Sequence, residues 1–153
     1  MISFVPVLAN FVWAALLLEK YLLSVPVIAA GLAIEYFFVR RLTGFGWKRS
    51  LLADLAMNAA SLAAGIILIP LAGLAWEATA GVVLYKLFDL GTFSFVSWAA
   101  TYVLAVLVNA LLENYVLRRF FKVEKTGRGF RLLCLANALS VAVAFAALWF
   151  YPR

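Results

Sequence analysis

Three acids stand inside long apolar runs of this 153-residue chain: Glu35, Asp54 and Glu113. Neutral polar residues share those runs, namely Asn58, Ser61, Asn109, Asn137 and Ser140. An ionisable side chain at membrane depth costs about 2.5–3.5 kcal/mol at a helix centre, and by default marks a pathway or a binding site. Carboxylates accompanied by amides suit a proton, a cation or a positively charged headgroup. Asp54, Asn58 and Ser61 follow i, i+4, i+7 and so occupy one helix stripe, as Asn109 and Glu113 do at i, i+4. Asp54 would serve equally as a proton carrier or as a neutral hydrogen-bond donor. The structural alternative for all eight residues is glue between helices, with Glu35 and Glu113 reaching toward the arginines beyond them.

The acids recur in a pattern. "IEYFFVRR" (34–41) and "LENYVLRR" (112–119) each place a Glu five residues before an Arg pair. Sixteen residues separate Arg41 from Asn58, which Ser61 follows, and seventeen separate Arg119 from Asn137, which Ser140 follows. The offset between halves is 78 residues at the Glu and 79 at the Asn. We therefore expect an internal duplication, with residues 1–77 as the first repeat and 78–153 as the second, inside one membrane domain. The halves are not identical: Leu133 stands where Asp54 would be, and Gly31 where Asn109 would be. A rise of 1.5 Å per residue places Glu35 and Glu113 roughly 7 Å inside the basic boundary, with Asn58 roughly 13 Å and Asn137 roughly 9 Å deep. Within each half, a Glu–Asn hydrogen bond between neighbouring helices is the expected pairing.

Composition fixes the class. The chain is 67% hydrophobic and 13% charged, with a mean hydropathy of +1.05, whereas soluble domains are about 25% charged. An all-α, polytopic transmembrane helical bundle follows. Spanning helices need about 20 mostly apolar residues, and 22–39, 51–69, 95–117 and 130–150 provide them. Residues 2–18 are uncharged and offer a fifth span. They lack the basic flank and small-residue cleavage site of a removable signal peptide. Residues 78–92 contain Lys86, Asp89 and two glycines, which predicts a short interfacial or re-entrant helix. Four or five spanning helices are thus expected. Trp47, Trp149 and Tyr151 suit the aromatic belts at the interfaces.

The net charge of +6 reads as topology rather than nucleic-acid binding. Most basic residues cluster between paired spans: Arg40, Arg41, Lys48 and Arg49 in one loop region, and Arg118, Arg119, Lys122, Lys125, Arg128 and Arg131 in the other. Short basic loops stay in the cytoplasm, which predicts two hairpins of the same orientation in a plasma (bacterial inner) membrane. The repeats are then parallel, related by an axis along the membrane normal. Arg40, Arg41, Lys48, Arg49, Arg118, Arg119 and Lys122 are the expected contacts to anionic lipid headgroups.

Catalysis has little to work with. There is no His, and Cys134 is the sole cysteine, which removes Cys–His nucleophiles, His-based metal sites and an intrachain disulfide. "FDLGT" (88–92) has the Asp-x-Gly-Thr form of an aspartic-protease turn, but no second such motif accompanies it. No cofactor and no enzymatic activity are expected. Two functions fit: a small transporter or channel with its polar site between the repeats, or a non-transporting accessory, scaffold or immunity-type subunit that binds another membrane protein. Four helices leave little room for a pathway, so the first reading calls for a homodimer.

Overall fold

The computed structural model describes residues 25–91, 94–124 and 126–150. The stretch 2–18, Tyr151 and the side chain of Trp149 lie outside the described residues. Every regular element described is a helix: α1 (Val25–Thr43), α2 (Trp47–Trp76), a π-helical turn (Glu77–Gly81), α3 (Val82–Phe88), α4 (Phe95–Phe120) and α5 (Gly127–Phe150). Helix is the form an apolar chain takes in lipid, because it satisfies the backbone within the segment.

Four stretches among the described residues are long and apolar enough to cross a membrane: Trp47–Leu68, Pro70–Phe88, Phe95–Phe120 and Gly127–Ala147. The chain is accordingly an integral membrane protein. Three of these, Trp47–Leu68, Phe95–Phe120 and Gly127–Ala147, correspond to the expected spans 51–69, 95–117 and 130–150. The described part of α1 is not in the set, because its 19 residues carry Glu35, Arg40 and Arg41.

The segment around 78–92 departs from expectation. Over 78–88 it is a continuation of α2 and not a separate helix. Helix α2 runs through Pro70 for 30 residues, about 45 Å at 1.5 Å per residue, and passes directly into the π turn and α3. Proline removes one backbone N–H and one helical bond. In an apolar stretch every other carbonyl still has its best partner one turn away, so the helix continues. It stops at Asp89, whose φ of 54° is left-handed and whose N–H bonds to Tyr85 O at 3.1 Å. Asp is one of the few residues besides Gly that tolerates this conformation. The "FDLGT" stretch thus supplies a helix end.

The other ends have equally local causes. Gly44, at φ 67°, closes α1 with its N–H on Arg40 O at 3.0 Å. Lys122, at φ 58°, takes the same role after α4, where Val123 N–H reaches back to Leu117 O at 3.2 Å. A left-handed residue at a helix end is usually glycine. Ser94 caps the start of α4 by accepting from Ser97 N–H at 3.3 Å.

Helices α1, α2, α4 and α5 form a closed ring. Helix α1 packs on α2 and α5, and α4 packs on α2 and α5. The apolar core combines Val39, Ala53, Met57, Ala110, Val116, Leu117 and Leu133. The outer faces carry exposed Leu55, Leu62, Ile66, Leu107, Leu111 and Leu139, as a lipid-facing surface should. Of the small residues that could line the interior, Gly65 and Ala136 are buried, while Ala59, Ala63 and Ala142 face outward. The two loops meet at one end of the ring. Arg49 stacks on the Phe45 ring at 4.0 Å and donates to Phe121 O at 3.4 Å.

Candidate functional site: a buried acid and amide cluster

The interior of the ring holds the polar residues. Glu35, Asp54, Ser61, Glu113 and Asn137 are buried, and Asn58 and Ser140 are half-buried. Each Glu meets the Asn of its own hairpin. Asn58 Nδ2 donates to Glu35 Oε2 at 2.7 Å, and Asn137 Nδ2 donates to Glu113 Oε2 at 2.6 Å. These are the pairings expected from depth. The acids turn to the amides and not to the Arg pairs, which are exposed.

Both amides are held by a second bond to their own helix. Asn58 Nδ2 also donates to Asp54 O at 3.0 Å, and Asn137 Nδ2 to Leu133 O at 3.1 Å. The two N–H bonds of each amide are thereby committed, one across the hairpin and one to the carbonyl four residues back. The amide orientation is fixed, and its oxygen is left as an acceptor. Asn137 Oδ1 is buried with no hydrogen-bond partner among the described residues, and so is Asp54 Oδ2. Asp54 Oδ1 lies 3.4 Å from Asn58 Nδ2. Ser61 Oγ is buried and likewise unpartnered there.

Two of the acids meet at one amide: Asn58 Nδ2 lies 2.7 Å from Glu35 Oε2 and 3.4 Å from Asp54 Oδ1. Ser140 sits beside Glu35 across the α1–α5 contact, while its hydroxyl donates within α5 to Asn137 O at 3.2 Å. That contact is close because Gly31 faces it. A Cβ built at Gly31 would lie 3.7 Å from Ser140 Cβ.

Asn109 is the exception among the expected site residues. It is half-buried on α4, and its side chain forms no hydrogen bond with the described residues. The i, i+4 spacing places it on the face of Glu113, but one turn is enough to move it away from the partners on α5. Sequence reasoning also missed Tyr102, whose hydroxyl donates to Ala138 O at 2.6 Å. Its ring meets Phe145 edge-on at 5.4 Å, and Trp98 meets the same ring at 5.7 Å. An aromatic residue in a spanning helix reads as lipid-facing or core alike, so nothing in the sequence marked this staple between α4 and α5.

Among the described residues no three Asp, Glu or Cys side chains are grouped tightly enough to chelate a metal ion. Cys134 is half-buried and unpaired. The basic residues expected at headgroups (Arg40, Arg41, Lys48, Arg49, Arg118, Arg119 and Lys122) are all exposed at the loop end of the ring. Comparison with protein families, curated proteins and solved structures gave no match to this chain.

Proposed function

We propose that this membrane protein is a small transporter or channel for protons or monovalent cations, with its site between two hairpin repeats. One observation carries the reading. The ring interior is lined by oxygen acceptors, because both Asn amides have spent their N–H groups on fixed partners. Three buried carboxyls share that interior, and Asp54 Oδ2 and Asn137 Oδ1 have no partner among the described residues, so a proton or a cation would find acceptors there.

Three features support the repeats. The Glu–Asn bond recurs in each hairpin. The left-handed helix ends at Gly44 and Lys122 stand at the same 78-residue offset as the two Glu residues. The packing of α1 on α5 and of α4 on α2 is the pair that a two-fold axis would exchange. The division at 77/78 then falls inside the π turn. In this reading the basic loops lie in the cytoplasm, and two copies of the chain build the pathway.

Liposome flux tests the proposal. Purified protein is reconstituted and proton, sodium and potassium gradients are applied, with Glu35→Gln, Asp54→Asn and Glu113→Gln alongside. The expected result is a flux in the wild type that the variants lose while remaining monodisperse in detergent. Absence of flux under every gradient, with the variants only less stable, would refute transport. A membrane partner co-purifying in fixed proportion would then favour the accessory-subunit reading.

A further inference from the structure

A second polar site lies outside the ring interior, where the two loops meet. A cleft of about 510 Å³ opens between the end of α1 and the segment joining α4 to α5. Pockets that bind small ligands span about 300–1,000 Å³. Among the described residues, Arg41, Lys122 and Arg128 line this one together with the carboxylate of Glu124. The first turn of α5, which begins at Gly127, borders the same space and adds the positive end of a helix dipole.

Lys122 is the informative residue. It occupies the left-handed position that closes α4, where glycine is the residue of lowest strain. The corresponding end of α1 does use glycine, Gly44. The second half therefore carries a strained Lys where the first shows the unstrained solution, and that Lys lines the cleft. Strain of this kind persists where a side chain serves a site. Thr43 and Thr126 also border the cleft. Thr43 Oγ1 donates to Val39 O at 2.8 Å, whereas Thr126 Oγ1 only accepts, from Gly129 N–H at 3.0 Å, and keeps its O–H as a further donor beside the cations.

We infer that this cleft binds a phosphate group, held by Arg41, Lys122 and Arg128. Guanidinium groups match phosphate oxygens in a planar fork and Lys adds a point charge. The site lies at the ends of α1 and α4, level with exposed Arg40 and Arg118, where a lipid headgroup phosphate or a free phosphate could both reach it. The comparison of Lys122 with Gly44 rests on the repeat. The cleft itself does not depend on the cation site, so its failure would leave the flux reading standing, and the converse holds too.

The test uses the full chain in an uncharged detergent, titrated with short-chain phosphatidic acid and, separately, with inorganic phosphate. Saturable binding of one phosphate-bearing molecule per chain is expected. Arg41→Gln and Arg128→Gln should each weaken it about 5-fold, the equivalent of roughly 1 kcal/mol per charge near a membrane surface. Lys122→Gly should weaken it by a similar factor while leaving α4 better capped, which separates a lost ligand from lost structure. Arg131→Gln removes an equally exposed charge one turn along α5, outside the cleft, and should leave binding unchanged. Competition by inorganic phosphate assigns the site to phosphate alone. Lipid binding that phosphate does not displace assigns it to the headgroup. No saturable binding of either probe, or an Arg131→Gln loss as large as that of the cleft variants, overturns the inference.

Discussion

The bond between Asn137 and Glu113 can be weighed by a double-mutant cycle. Both side chains are almost wholly removed from solvent, at 0% and 1% exposure. Interhelical hydrogen bonds in membranes average about 0.6 kcal/mol, with a maximum near 1.7, because the unfolded helices find other partners. Here the bond is short, at 2.6 Å, and the second amide hydrogen is anchored on Leu133 O, so Asn137 arrives pre-oriented. The coupling between Asn137→Ala and Glu113→Ala should therefore sit near the top of that range, about 1.4 kcal/mol, or tenfold in the unfolding equilibrium. Asn137→Ala alone should cost more, about 2 kcal/mol, since it also strands a buried acid oxygen. The matching cycle of Asn58→Ala with Glu35→Ala should give the membrane average of about 0.6 kcal/mol, because Asn58 is only half-buried and Ser140 stands beside Glu35. Reversible unfolding in mixed detergent micelles, followed by helical circular dichroism, measures all of these. A coupling at 113/137 within about 0.5 kcal/mol of zero, where independent sites add, or one smaller than at 35/58, would show that the interior bond is not what orders the hairpin.

Two further outcomes follow from backbone geometry. Lys122→Gly should raise stability by about 1 kcal/mol, the relief of a left-handed non-glycine residue, seen as a higher Tm; a lower Tm would mean that the Lys side chain holds the loop together. Gly31→Ala should be tolerated, since its Cβ would meet Ser140 at ordinary contact distance, whereas Gly31→Leu should separate α1 from α5 and lower the unfolding midpoint; equal stability for both would place the close α1–α5 approach elsewhere.

The polar residues were the legible part of this sequence. Glu35, Asn58, Glu113 and Asn137 announced their pairing because a polar group in lipid has few places to go, and their distance from the Arg pairs fixed their depth. The apolar faces were silent for the complementary reason. Lipid is as apolar as a protein core, so Leu133 in the core and Leu135 on the outside look alike in sequence. The order of helices around the ring, the Tyr102 bond and the bridge from Arg49 to Phe121 depend on those faces. The continuation of α2 through Pro70, beyond the span expected over 51–69, was hidden for a different reason: rules for helix ends come from water, where a broken helix can be solvated. Asn109 shows the limit of spacing alone, because a shared face does not guarantee a shared partner.

The placement of the two acid bonds also bears on how such a chain is made. Asn58 lies 23 residues after Glu35, and Asn137 lies 24 after Glu113, so each acid finds its partner within the next helix to be synthesised. Neither hairpin has to wait for the other before its carboxyl is satisfied. The contacts between the hairpins, α1 on α5 and α2 on α4, join earlier helices to later ones, and Gly31 lets α1 approach α5 closely at Ser140. The two Glu–Asn bonds are thereby local and need no such docking, whereas Asp54 Oδ2 has no partner among the described residues even once the ring is closed.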